Sequence, residues 1–175
     1  MSAIPDLPPS LKPIQEYLNK SKQLATVRPV VAHYCKVYAI EQGLKVRDKA
    51  DKGTLAFLMP LMDELEKEKK EVPDLQGIED PQMQVELFAL ELFKKADDQY
   101  YAGKANKSTS LSFRASASIM EVCRQWGEMP ADVSEKYKYA KVKALEIWKA
   151  VQEGRVAMPP LQEEGGGGAP TPLGE

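Results

Sequence analysis

Apolar residues recur every three to four positions along most of this chain, in runs closed off by proline and glycine. That period marks one-sided helices, and it predicts six of them. The first covers residues 10–26, with Ser10 as N-cap, Pro13 in the first turn, and a buried stripe of Ile14, Tyr17, Leu18, Ser21 and Ala25. The second covers 29–42, opened by Pro29 and closed by Gly43. Nearly everything between them is apolar or aromatic, so other helices must enclose it. The third covers 51–71, with Pro60 predicting a kink near 56–60. After a loop at 72–80, the fourth covers 81–102, between Asp80 as N-cap and Gly103 as stop. The fifth covers 107–126, after Asn106 and before Gly127, and the sixth 131–153, after Pro130 and before Gly154. No alternating β-branched run suggests a strand. Residues 162–172 read as a disordered linker, rich in glycine and proline.

These elements define an all-α fold. Its connections are short, so successive helices should pack antiparallel. The punctuation suggests two packed three-helix modules, at residues 10–72 and 80–155, followed by the start of a disordered linker at 160–175.

The helix faces differ. In the sixth, Val133, Tyr137, Ala140, Ala144, Ile147, Trp148 and Val151 share one side, while Lys138, Lys143, Glu146 and Lys149 point away. Tyr139 and Val142 fall on the outer side. The fourth helix carries two stripes: Val85, Phe88, Ala89, Leu92 and Ala96, and nearly opposite them Met83, Leu87 and Leu90. The second stripe either glues the two modules together or forms a docking groove. The third helix has an apolar arc of roughly 200°, about twice what facing a core requires. Phe57, Leu61 and Leu65 suit the core edge. Leu55, Met59 and Met62 either line an exposed groove or belong to a more deeply buried helix; methionine suits surfaces that accept several partners.

Composition narrows the function. A net charge of −2 gives no electrostatic case for nucleic acid. No apolar run reaches bilayer-spanning length, and Met1-Ser-Ala-Ile-Pro5 lacks a signal-peptide pattern. Cys35 and Cys123 read as small core residues in a reducing cytosol. His33 is the sole histidine, and no His or Glu stands one turn away to share a metal, so it reads as packed or surface. The serines from Ser108 to Ser118 have no histidine in sequence context to activate them and instead suit close helix packing. Gly165–Gly168 precedes no helix, so it is no phosphate loop. No catalytic constellation, metal site or cofactor motif emerges, and the chain reads as a non-enzyme.

Pro29-Val-Val-Ala-His-Tyr-Cys-Lys-Val-Tyr-Ala-Ile-Glu-Gln-Gly-Leu-Lys45 resembles the N-terminal region of the Vta/LIP family of ESCRT cofactors. The likeness continues at Leu61-Met-Asp-Glu-Leu-Glu66, at Glu86-Leu-Phe-Ala-Leu90 with Ala96-Asp97 and Ala102-Gly-Lys104, at Lys136-Tyr-Lys-Tyr-Ala-Lys-Val-Lys-Ala144, and at Gln152-Glu-Gly-Arg155. It spans about residues 11–160. The chain departs from the family pattern at His33, where the family has tyrosine, and at Lys141 and Val142, where an aromatic commonly stands.

The resemblance implies two MIT-type modules that bind C-terminal tails of ESCRT-III and ESCRT-III-like subunits as helices in grooves. It implies Met62, with Met59 nearby, as anchors in the first module, and Glu66 as acceptor for a partner's cation. Met83, Leu87, Leu90 and Tyr139 are the corresponding expectation in the second. It implies a cytoplasmic adaptor, recruited to endosomal membranes, that regulates the ESCRT-III-disassembling AAA ATPase in multivesicular body sorting. The ATPase would be engaged only through a C-terminal domain absent from this chain, which would itself be monomeric. The alternative is a helical scaffold or lipid-surface protein without a peptide groove.

Overall fold

A computed structural model describes residues 6–161. The expectation of disorder over 162–172 lies outside them. The described residues form six α-helices and no strand: α1 (Gln15–Leu24), α2 (Pro29–Val46), α3 (Lys52–Glu71), α4 (Pro81–Tyr101), α5 (Lys107–Val122) and α6 (Ala131–Gln152). Short 3-10 turns at Pro9–Ile14, Pro73–Leu75 and Cys123–Trp126 complete the path.

Local chemistry sets most helix ends. The Asp51 carboxylate accepts from the Gly53 N–H (2.8 Å) and that of Asp80 from the Met83 N–H (3.0 Å). Asn106 and Thr109 form a reciprocal capping box at 3.1 Å each way, a device that satisfies two otherwise orphaned N–H groups. Gly103 and Gly154 close α4 and α6 at φ +71°, the left-handed conformation that glycine adopts most cheaply. Pro60 leaves the Ala56 carbonyl without its donor, yet α3 remains one helix across it. Both residues are exposed, so water can satisfy that carbonyl.

Two expected caps do other work. Ser10 caps no helix: its Oγ accepts from the Asp48 N–H at 2.9 Å and ties the chain's start to the α2–α3 loop. Pro9 and Pro13 hold that start in a 3-10 turn, so the α-helix begins only at Gln15, and it ends at Leu24, leaving Ala25 exposed. Gly43 does not close α2, which runs a turn further. It is buried, and a Cβ there would stand 3.0 Å from Leu58 Cδ2 and 3.2 Å from Ile14 Cδ1. Glycine is needed there for close approach rather than for a left-handed turn.

Three apolar clusters fill the interior. Leu11, Ile14, Leu18, Ala39 and Leu58 join α1, α2 and α3. Ala96, Phe113, Ala117, Ala140, Ala144 and Ile147 join α4, α5 and α6. Between them, Val31, Cys35 and Tyr38 of α2 meet Val85 and Ala89 of α4 and Ile119, Met120 and Val122 of α5. The two halves of the chain thus share a core. Burial pushes the thiols of Cys35 and Cys123 up to about 12, so both stay protonated at neutral pH, as small core residues. Ser110 and Ser116 donate to the carbonyls of Ala144 (2.7 Å) and Ala89 (2.9 Å), which lets α5 approach α6 and α4 closely.

A polar clamp reinforces the join. Tyr17 of α1 and Tyr137 of α6 both donate to the Glu121 carboxylate on α5, one to each oxygen. Ser118 adds a hydrogen bond to Glu16 at 2.6 Å. Burial and the Glu121 carboxylate both push the two tyrosine hydroxyls above their ordinary range, so both remain donors.

Candidate helix-docking site

The wide apolar arc of α3 divides in two. Thr54 and Leu58 are sealed, and Phe57 and Leu61 pack beside the first cluster. Beyond them the arc opens: Met62 is half-buried, Leu55 and Glu66 are exposed, and Met59 is 59% exposed. At 100° per residue, Met62, Leu55, Glu66 and Met59 fall within about 60° of one another. Over the span from Leu55 to Glu66 they form a flank about 16 Å long, three turns of helix. Among the described residues Glu66 pairs only with the neighbouring Lys69, at 3.1 Å on the surface, a contact worth little in water and readily exchanged. The flank offers apolar anchors one turn apart beside an available carboxylate.

The opposite side of α3 is fixed by charge. His33, 2% exposed on α2, reaches Glu68 Oε2 through Nδ1 at 2.7 Å. A carboxylate can only accept, so Nδ1 carries the proton. Lys36 donates to Glu68 as well and to Glu64 at 3.0 Å. Burial pushes His33 below its ordinary value and outweighs the pull of Glu68. Burial tends to raise Glu68, but bonds from Lys36 and His33 hold its carboxyl below the usual range. These groups border a cleft of about 440 Å³ between α1 and α3, floored by Ala32 of α2. Of the two sequence readings of His33, packed or surface, the structure selects packed. Its partner lies 35 positions away, beyond any local pattern.

The network predicts a pH response. A histidine with a lowered folded-state value resists protonation when folded, so its contribution is complete above about 6.5 and erodes as pH falls below that. Glu68, held low, loses its contribution only below about 4.5. The urea midpoint should therefore fall between pH 7.5 and 5.5, and His33→Gln should flatten that fall. A midpoint constant over this window in the native chain refutes the assignment.

On α4, Val85, Ala89 and Ala96 are sealed, whereas Met83 and Leu87 are each 53% exposed and Leu90 is exposed at its edge. The second stripe therefore does not glue the halves together. That role falls to Val85 and Ala89, which meet α2 in the shared cluster. The exposed stripe is not a single groove either. Leu90 borders a pocket of about 230 Å³ with Met120, Met129 and Val133, while Leu87 borders a separate hollow with Val27 and Arg28.

Tyr139 is not on the outer side. It is half-buried, its hydroxyl donates to Asp97 at 2.7 Å, and its ring lies 5.6 Å from Phe93 and 5.9 Å from Phe113. α6 crosses its neighbours through Ala140 and Ala144, and this close crossing brings a flanking ring into contact. Trp148 deviates the other way. Placed with the core by its spacing, it is exposed, and with Leu111 and Leu145 it borders a hollow beside α5. The spacing of Leu145 and Trp148, one turn apart, was the available signal.

The fold is all-helical and leaves a three-turn apolar flank uncovered beside a carboxylate, which defines a class: helical bundles with part of one helix face left uncovered. The chain belongs to the Vta1-like family, which matches residues 13–153. It is 42% identical over 144 residues to the homolog of mammalian LYST-interacting protein 5 from Arabidopsis thaliana, covering 82% of this chain and 34% of that protein. To the vacuolar protein sorting-associated protein VTA1 homolog of Dictyostelium discoideum it is 34% identical, over 94% of this chain and 31% of the relative. To the VTA1 homolog of Homo sapiens it is 32% identical, over 88% and 51%. The chain thus spans about a third to a half of these relatives' length.

Proposed function

We propose that this chain is an adaptor of vacuolar protein sorting that binds C-terminal tails of ESCRT-III and ESCRT-III-like subunits through two MIT-type modules, residues 10–72 and 80–155. The uncovered flank of α3 carries the reading: Met59 and Met62 supply apolar anchors, and Glu66 faces a partner's lysine or arginine. The second module holds a distinct tail, with Met83, Leu87 and Leu90 as contacts; Tyr139 contributes through packing. Weak contacts to repeated filament subunits add up by multivalency. A tethered C-terminal domain, outside this chain, brings the AAA ATPase to the filament and so regulates multivesicular body sorting from the cytoplasmic side of the endosome.

The test is a titration of the chain with an amphipathic ESCRT-III tail peptide. Met62→Asp should weaken binding at least about tenfold, with unchanged helical circular dichroism. Met59→Asp should act the same way and, being so exposed, costs the fold little. Unchanged affinity in both folded variants removes the groove. Binding to vesicles alone, with none to the peptide, favours the scaffold or lipid-surface alternative.

A further inference from the structure

Residues 45–52, where α2 turns into α3, carry four cations and two carboxylates, on a chain whose net charge is −2. Both carboxylates are committed to the turn itself. That of Asp48 accepts from the Ala50 N–H at 2.9 Å, and that of Asp51 from the Gly53 N–H at 2.8 Å. Arg47 is held inward, 3.4 Å from the hydroxyl of the buried Thr54. Lys45, Lys49 and Lys52 are left exposed, and none is within ion-pair distance of a carboxylate among the described residues. Ser10, by accepting from the Asp48 N–H, brings a further exposed and unpaired cation, Lys12, to the same end of the molecule. Glu41, the carboxylate that precedes them on α2, stands about 9 Å back along the helix from Arg47.

Two apolar side chains share this end. Leu44 and Val46, on the last turn of α2, are 40% and 42% exposed. At 100° per residue they fall to either side of Gly43, whose own face is closed against Leu58 and Ile14. The clefts and hollows described above take no wall from residues 44–56. The end is therefore a protrusion rather than a groove. It is also rigid: the Asp51 N–H donates to the Asp48 carbonyl at 3.1 Å and the Thr54 hydroxyl to the Asp51 carbonyl at 2.8 Å, so little order has to be gained on contact. A protrusion cannot enclose a visiting helix, but it can enter a surface that yields. The lipid headgroup layer takes apolar side chains while lysine heads stay with the phosphates.

We infer that the α2–α3 turn docks the chain on an anionic membrane surface, with Lys12, Lys45, Lys49 and Lys52 set against lipid headgroups and Leu44 and Val46 entering between them. The inference goes beyond the peptide reading and does not rest on it. Glu66, at the far end of the α3 flank, lies about 21 Å along the helix from Lys52, so a tail held near Met62 and Glu66 leaves the turn free. Each lysine near such a surface strengthens binding about fivefold. One copy binds weakly, and copies gathered on one surface bind by multivalency.

The test is co-sedimentation of the full chain with vesicles of phosphatidylcholine, with and without phosphatidylserine. Binding should require phosphatidylserine and should fall as salt rises. Lys49→Glu with Lys52→Glu, both at exposed sites, should weaken it at least about tenfold. Leu44→Ser with Val46→Ser, which leaves the charge untouched, should weaken it at least about threefold. Lys138→Glu with Lys149→Glu, the same charge change on the exposed side of α6, should leave it within about twofold. Circular dichroism should be unchanged in all three. Equal binding to phosphatidylcholine alone, no binding to either vesicle, or equal loss in the α6 pair overturns the inference. So does a loss in the lysine pair with none in the apolar pair, which would make the turn a reader of soluble polyanions. Met62→Asp should leave vesicle binding intact, so failure of the tail-peptide titration and failure here are separate results.

Discussion

Phe113→Ala should lower the unfolding free energy by about 3–5 kcal/mol. Phe113 is wholly buried, and its ring meets those of Phe93 at 5.8 Å and Tyr139 at 5.9 Å in near-perpendicular orientation. Such pairs add to the burial of the rings themselves. Much of the surrounding wall is alanine: Ala96 from α4, Ala117 from α5, Ala140 and Ala144 from α6. Alanine side chains cannot extend to fill a void, so the space left by the ring stays largely empty, and the cost depends on how well a site can collapse. Urea unfolding followed by circular dichroism measures the change. Phe113→Leu, which keeps most of the volume, should cost clearly less; equal losses in the two variants would mean that volume is not what this site requires.

The second large effect concerns the join between the halves. Val31→Asp should destabilise the chain by about 3–5 kcal/mol, because it buries a charge with no partner. Val31 is 2% exposed, and the cluster around it is built of Cys35, Tyr38, Val85, Ala89, Ile119, Met120 and Val122. None of these carries a cation. Because that cluster draws on α2, α4 and α5 together, the loss should be felt on both sides. Native-state hydrogen exchange should show amides of α2 and α5 losing protection in parallel. Loss confined to α1–α3, with α5 unchanged, would show that the halves are stable separately and merely touch.

The residues that sequence placed correctly act locally. Asp80 and Asn106 cap the N–H groups three positions ahead, and the glycines at 103 and 154 close their own helices. Each follows from a few neighbouring residues, so the helix order and most boundaries were legible. The width of the α3 arc was legible for a similar reason, being written in residues a turn apart, but both a groove and a deeper burial fitted it; the structure leaves Met59 out. Errors arose wherever a residue's role depends on another helix. Gly43 resembles a cap until Leu58 and Ile14 are seen beside it. Ser10 resembles a cap until Asp48 meets it. Tyr139 and Trp148 exchange their expected places because the alanine-lined crossing of α6 rotates which flank is enclosed.

By itself the sequence determined that this chain is helical, where the helices run, and that α3 carries more apolar surface than it needs, since period, caps and breakers are written in residues a turn apart. Which of that surface is covered was decided only in three dimensions. The burial of His33 against Glu68, the sealing of Val85 with Val31, and the exposure of Trp148 all depend on how close two helix axes come. That distance is set by side chains tens of positions apart, and no local pattern contains it.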